Sequence, residues 1–191
     1  MTRNNTDAVV RAATAAYLKG RPLDMSELAT ELGLSRATLY RRIGNHDELV
    51  AMVLADQTER TFRFCVDGVT LEGLDRVRAV FERFMYAVIG AEPIRAFIAR
   101  DPLLFIRIVL APGQVERRAT TLFAKLLAES GVDFAVPTAV LAQAIVRVGD
   151  SFMYTHLLGG HEPETDNVVR LVNLLLDSAR TNSARTNSAQ R

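Results

Sequence analysis

A chain of 191 residues, 49% of them apolar, can build one large domain or two small packed ones without disulfides, and its single cysteine, Cys65, could form none internally. The longest charge-free apolar stretch, Phe134 to Val146, has 13 residues, short of the ~20 a spanning helix needs; Arg3, Asp7 and Arg11 interrupt any signal-like start. These features exclude secreted and membrane readings and point to a cytoplasmic protein. Net charge is +1, yet residues 1–46 carry seven bases against four acids while the rest carries 16 against 18. A basic head on a mildly acidic body suggests that the head alone meets a polyanion.

The elements read as helices throughout. No stretch alternates long enough to demand a sheet, and Pro and Gly cut the chain into helix-length pieces. The first helix is expected from Thr6 to Lys19, with Val9, Val10, Ala13, Ala16 and Tyr17 on one face and Gly20 as its stop. Asp24 caps a short helix, with Glu27 as capping-box partner, that ends at Gly33. Ser35 caps the next, barely two turns before Gly44. Asn45, with Glu48 three residues on, opens a longer helix to about Cys65. Leu74, Val77, Phe81, Phe84, Met85 and Val88 mark another ending near Gly90, after which Pro93, Pro102 and Pro112-Gly113 break the chain. Helices follow from Gln114 to Ser130 and from Pro137, as a first-turn residue, to Leu158. Val168 to Leu176 forms the last. Residues 178–191 contain Ser-Ala-Arg-Thr-Asn twice and read as a frayed or disordered tail.

Residues 24–49 carry the most information. A short helix, a turn through Gly33 and a second short helix make a helix-turn-helix. Leu28, Ala29 and Leu32 are spaced to pack against Leu39 and Ile43. At about 100° per residue, Ala37 and Arg41 then point farthest from the core side, and Thr38 and Tyr40 flank them. Arg36, at the helix start, can reach base edges. This face offers a small residue for close approach, two arginines for guanine or phosphate, and two hydroxyls for phosphate oxygens.

Leu-Ala-x-x-Leu-Gly-Leu-Ser-x-x-Thr-Leu-Tyr-Arg, followed by Asn-x-Asp-Glu-Leu, resembles the TetR family of bacterial transcriptional regulators over residues 6–54. The resemblance implies an all-α fold, with a three-helix DNA-binding head (residues 1–46) and a helical effector-binding and dimerisation domain (47–177). It implies a homodimer through the last two long helices. By this resemblance Thr38 and Tyr40 match phosphate contacts, Arg36, Ala37 and Arg41 match base-reading positions, and the capping Ser35 is counted with them as a DNA-binding residue. Two departures stand out: Ile43-Gly44 replaces an aromatic pair, and His46 stands where a phosphate-binding lysine is usual. A histidine there is mostly neutral at pH 7.

In the second half, Ile145-Val-Arg-Val-Gly-Asp-Ser-Phe-Met-Tyr154, a Gly-Gly turn and a leucine-rich helix are similar to the QsdR-type subfamily. Those actinobacterial regulators control genes for degrading quorum-sensing lactones, and Leu39-Tyr-Arg-x-x-Gly44 agrees with that likeness. Phe81, Phe84, Phe105, Phe123 and Phe152 are expected to gather as core or cavity wall, with Tyr86, Arg147 and Tyr154 as the polar groups turned inward to a ligand. Arg147 has Asp150 one turn on, so an intrahelical pair is the alternative to ligand contact. The last helix carries more apolar residues than one face needs, so both of its sides require cover.

No catalytic constellation, metal-ligand spacing or phosphate loop is present. The expected protein is a non-enzymatic, cofactor-free repressor. It binds operator DNA as a homodimer and is released by a small apolar effector, an acyl lactone or fatty acid. The alternatives are an all-helical enzyme built on residues 70–177 and a ligand-blind DNA-binding protein.

Overall fold

The computed structural model describes residues 2–110, 113–159, 161 and 164–181, with only the backbone at 2–5, 110 and 153–158. Ten helices occur among them: α1 (Thr2–Leu18), α2 (Met25–Glu31), α3 (Arg36–Ile43), α4 (His46–Asp67), α5 (Gly73–Gly90), α6 (Glu92–Arg100), α7 (Pro102–Leu110), α8 (Gln114–Glu129), α9 (Thr138–Leu158) and α10 (Thr165–Ala179). The fold is all-α, and no helix is long and apolar enough to cross a membrane among the described residues.

Helix starts follow the capping residues. Asp24 accepts from the N–H groups of Ser26 and Glu27, at 2.6 and 2.9 Å. The box expected here does not close, because the Glu27 carboxylate turns to Arg21 at 3.2 Å instead of back to the Asp24 backbone. Asn45 and Glu48 form a reciprocal box, the Asn45 side chain accepting from Glu48 N–H at 2.9 Å and Glu48 accepting from Asn45 N–H at 2.7 Å. That box explains the glycine before it. Gly44 has φ +86°, and a Cβ there would stand 1.6 Å from Glu48 Oε2, so a side chain at this position would evict the carboxylate from the cap.

The Asp24 cap has a pH signature. The N–H of Glu27, then that of Ser26, holds its carboxyl below the ordinary carboxylate range. Since the folded value lies below the unfolded one, the cap's contribution is full above about pH 4 and is lost as pH falls through the folded value. The melting temperature of Asp24→Ala should therefore trail the wild type at neutral pH, with the gap closing in acid. A gap that persists unchanged to about pH 2 would show that charge is not what the cap supplies.

Three further expectations about element boundaries differ from the structure. Prolines start helices in the 91–110 stretch: Pro93 lies in the first turn of α6, and Pro102 opens α7 behind Asp101, which accepts from Leu104 N–H at 3.1 Å. Pro137 lies just before α9, its carbonyl accepting from Val140 and Leu141. Residues 178–181 are ordered. Ser178 and Ala179 finish α10, and an antiparallel bridge ties Arg180 to Phe134. Flanking it, Ala135 N–H donates to Ala179 O at 2.8 Å and Thr181 N–H to Asp133 O at 3.0 Å. Backbone pairing with a distant loop has no signature in a polar, repetitive tail. The remainder of the expected tail, 182–191, lies outside the described residues.

The head is α1–α3 with the start of α4, closed around Val9, Ala13, Leu28, Leu39, Ile43 and Leu49, all buried. By its 22 residues, α4 extends roughly 33 Å, and it packs on α5, α7 and α8 of the body. There α8 lies on α9, α9 on α10, and α10 on α5. Head and body are also tied where Arg100 donates to Gly20 O at 3.1 Å and where Arg107 of α7 lies 2.6 Å from Asp47 in the first turn of α4.

Candidate DNA-binding face and effector cavity

Helix α3 is held at both ends. The Ser35 hydroxyl accepts from Thr38 N–H at 3.2 Å and donates to Thr38 Oγ1 at 2.9 Å, and Gly44 terminates it. Leu39 and Ile43 are buried against the head core, which fixes the rotation of the helix. Ser35, Arg36, Ala37, Tyr40 and Arg41 are exposed, and Thr38 is half-buried. Tyr40 keeps 49% of its surface in solvent. The structure thus gathers these residues on and beside one outward face of α3.

His46 stands beyond the end of α3, half-buried in the first turn of α4, with Nδ1 3.6 Å from Asp47 Oδ1. Asp47 turns its other oxygen to Arg107. The first turn of α4, which directly follows α3, is therefore tied to α7 through Asp47.

A partly open cavity of about 250 Å³ lies in the body beneath α1, just below the range of ligand pockets, which run from roughly 300 to 1,000 Å³. Four phenylalanines expected to gather do so here: Phe81, Phe84, Phe105 and Phe123 are all on its wall. Phe123 meets Phe62, Phe81 and Phe84 edge-on, with ring centroids 5.0, 5.8 and 5.6 Å away. Edge-to-face packing of this kind adds to simple burial.

Other candidates stand elsewhere. Phe152 is half-buried against the core but is not part of the wall. Tyr86 faces outward from α5, 47% exposed, and its hydroxyl donates to Asp166 at the start of α10. That bond raises the phenol above its ordinary range. Arg147 extends to α8, where its Nη2 is 3.2 Å from Glu116 Oε1, and Gln143 donates to the same oxygen at 3.1 Å. Glu116 is only 5% exposed; a buried carboxylate needs such donors. The side chain of Tyr154 lies outside the described residues.

The rest of the wall, including its polar part, is made by residues that the sequence reading assigned to other duties or passed over. Tyr17 and Leu18 reach it from α1, Gln57, Thr58 and Thr61 from α4, and Asp150 from α9. Burial pushes the Tyr17 phenol far up, so it stays protonated and keeps its hydrogen to donate. The Thr58 hydroxyl donates to Leu54 O at 2.8 Å, and Gln57 Nε2 donates to Asp56 at 3.2 Å. Asp150 was visible in the sequence only as a partner for Arg147, not as part of a cavity wall. Tyr17 was not visible as part of it either, because nothing local tells which far helix an aromatic on α1 will meet.

The comparisons with known proteins are consistent with this architecture. A family model described as "Tetracyclin repressor-like, C-terminal domain" matches residues 72–177. The transcriptional repressor QsdR of R. erythropolis, of the TetR family, is 35% identical over 95% of this chain and 99% of its own, with a TM-score of 0.89. AlkX, a TetR family repressor from a Dietzia species implicated in biodegradation of n-alkanes, is 22% identical over 91% of this chain and 98% of its own, at TM-score 0.65. A TetR-family regulator from Pectobacterium atrosepticum is 18% identical over 95% and 96%, at 0.62. The last two show the shared fold alone. No curated protein matches the chain in sequence.

Proposed function

The chain belongs to the TetR family of transcriptional regulators, and from that membership we propose a repressor that holds operator DNA as a homodimer and releases it when a small, largely apolar effector fills the cavity. One observation carries the proposal: Tyr17 and Leu18 of the head are part of the wall of a cavity that otherwise belongs to the body. A ligand lodged there touches α1 and α4 at once, and α1 packs on both α2 and α3. Two recognition helices must lie about 34–36 Å apart to enter successive major grooves. An effector that prefers another setting of the heads lowers DNA affinity by that preference and no more.

In this reading Arg36, Ala37 and Arg41 read bases, while Ser35, Thr38, Tyr40 and His46 face phosphates. The dimer forms through α9 and α10. Acyl lactones and fatty acids are the effector classes that suit four phenylalanines and a short polar stretch. The cavity favours this reading over a ligand-blind DNA-binding protein.

The operator is to be selected from random duplexes and then titrated. Binding should weaken steeply with salt as phosphate contacts displace counterions. Arg36→Ala should lose about 1–3 kcal/mol at one base position per half-site and relax the preference there, whereas Tyr40→Phe should weaken every sequence alike. Equal losses on all sequences for Arg36→Ala would remove it from base reading. If no duplex is preferred, or if no acyl lactone or fatty acid releases the selected one, the repressor proposal falls.

A further inference from the structure

We propose that Gly149 and Met85 together set the depth of the cavity, and with it the longest apolar chain that an effector can carry. The proposal rests on the effector-site reading above and adds to it the pair of residues that decides length, whatever the head group.

Gly149 lies in the interior of α9, where a glycine costs the helix stability relative to alanine. The backbone supplies no reason for it. Its φ is not positive, so alanine would adopt the same conformation without strain. The reason is spatial. Gly149 is buried on the cavity wall, where Met85 and Phe81 of α5 meet it. A Cβ at Gly149 would stand 3.3 Å from Met85 Sδ, 3.8 Å from Met85 Cε and 3.9 Å from Phe81 Cε2. The last two are ordinary contacts, whereas the first is tighter than a Cβ normally accepts. The missing side chain is therefore a notch that receives the thioether of Met85.

Of the two side chains in contact, Met85 is the one that can move. It is unbranched and adapts to irregular gaps, while the Phe81 ring is set edge-on against Phe123. Met85 is buried in a closely packed interior, and the free space beside it is the cavity. A methyl group at position 149 therefore pushes the sulfur into volume that a ligand would occupy. Truncating Met85 acts in the opposite sense and adds depth at the same point. Val146, one turn back on α9, and Phe81, one turn back on α5, continue the wall in apolar residues. An apolar chain suits this part of the site.

Calorimetric titration of the full-length protein with two homologous series tests the proposal: straight-chain γ-lactones from γ-octalactone to γ-hexadecalactone, and fatty acids from octanoic to hexadecanoic acid. In the wild type each added methylene should tighten binding about fourfold until the chain outgrows the cavity. Gly149→Ala should bring that break to a shorter homologue. The longest ligand that the wild type accommodates should weaken about tenfold, and the shortest should be unchanged. Met85→Ala should move the break to a longer homologue. In Gly149→Ala/Met85→Ala the break should return toward its wild-type position, a rescue that damage to the fold would not produce. Gly149→Ala should also melt no lower than the wild type, since alanine suits a helix interior. A wild type without a break, a break that stays in place in both single variants, or equal weakening of every length by Gly149→Ala overturns the depth proposal and leaves the effector cavity standing. If neither series binds the wild type, the effector-cavity reading fails and this proposal with it.

Discussion

Leu174→Glu should yield a folded monomer that no longer holds a palindromic site. Helix α10 buries Val168, Val169, Val172 and Leu176 against α5 and α9, yet Leu171 and Leu174 remain 43% and 63% exposed. On the neighbouring α9, Val140 is 55% exposed. An apolar surface of this kind on paired helices calls for a covering partner. A second copy provides one in the four-helix arrangement of the proposed dimer. In a two-fold seam a residue near the axis lies close to its own copy, so one substitution places two carboxylates together in a desolvated contact. A monomer forfeits the linkage between half-sites, which is worth a factor of about 10² to 10⁴. The sequence singles out the same helix, but Leu175 is half-buried and packs against the core. Charge at Leu175 would damage the fold as well as the seam, whereas Leu174→Glu keeps the two apart. Sedimentation of Leu174→Glu as a dimer, with an unchanged melting curve, would move the seam off α10.

Phe123→Ala should cost about 3–5 kcal/mol of stability, the range for deleting a buried aromatic ring. Phe123 is 1% exposed, and its ring touches three others, Phe62 from α4 and Phe81 and Phe84 from α5. Removing it from α8 opens the point where these helices are held apart around the cavity. For a chain of this length, each kcal/mol lowers the midpoint by about 2–4 °C, so the fall should be roughly 6–20 °C. The new void adjoins the existing cavity, and a ligand with a longer acyl chain should recover part of the loss, since binding to the native state alone raises stability by mass action. A fall of less than about 2 °C would mean that the other three rings support the frame without it.

How far the sequence could be read depended on the range of the forces involved. Asp24, Ser35 and Asn45 act on the three residues after them, so the helices of the head were legible together with the outward face of α3. Gly44, which looked like a departure from the usual motif, is understood only once Glu48 is seen folded back against it. The prolines at 93 and 102 gave an ambiguous signal, because a residue that ends one helix is equally suited to begin another. The phenylalanine wall was legible as an apolar pattern. Its polar complement was not: Tyr17, Thr58 and Asp150 converge from helices far apart in the chain. Arg147 looked like a ligand contact or a partner for Asp150, and its bond to Glu116 depends on how α8 and α9 pair.

Tyr17 and Leu18 belong at once to the cavity wall and to the head, and whatever coupling they carry between the two proposed sites is reciprocal by linkage. If an effector weakens DNA binding by some factor, bound DNA weakens effector binding by that same factor. Regulation then becomes a property of each promoter as well as of the protein. A weak operator clears at a low effector level, while a strong one stays occupied until the level has risen further. One cavity of fixed chemistry can therefore open several genes in a graded order, with the order written in the DNA.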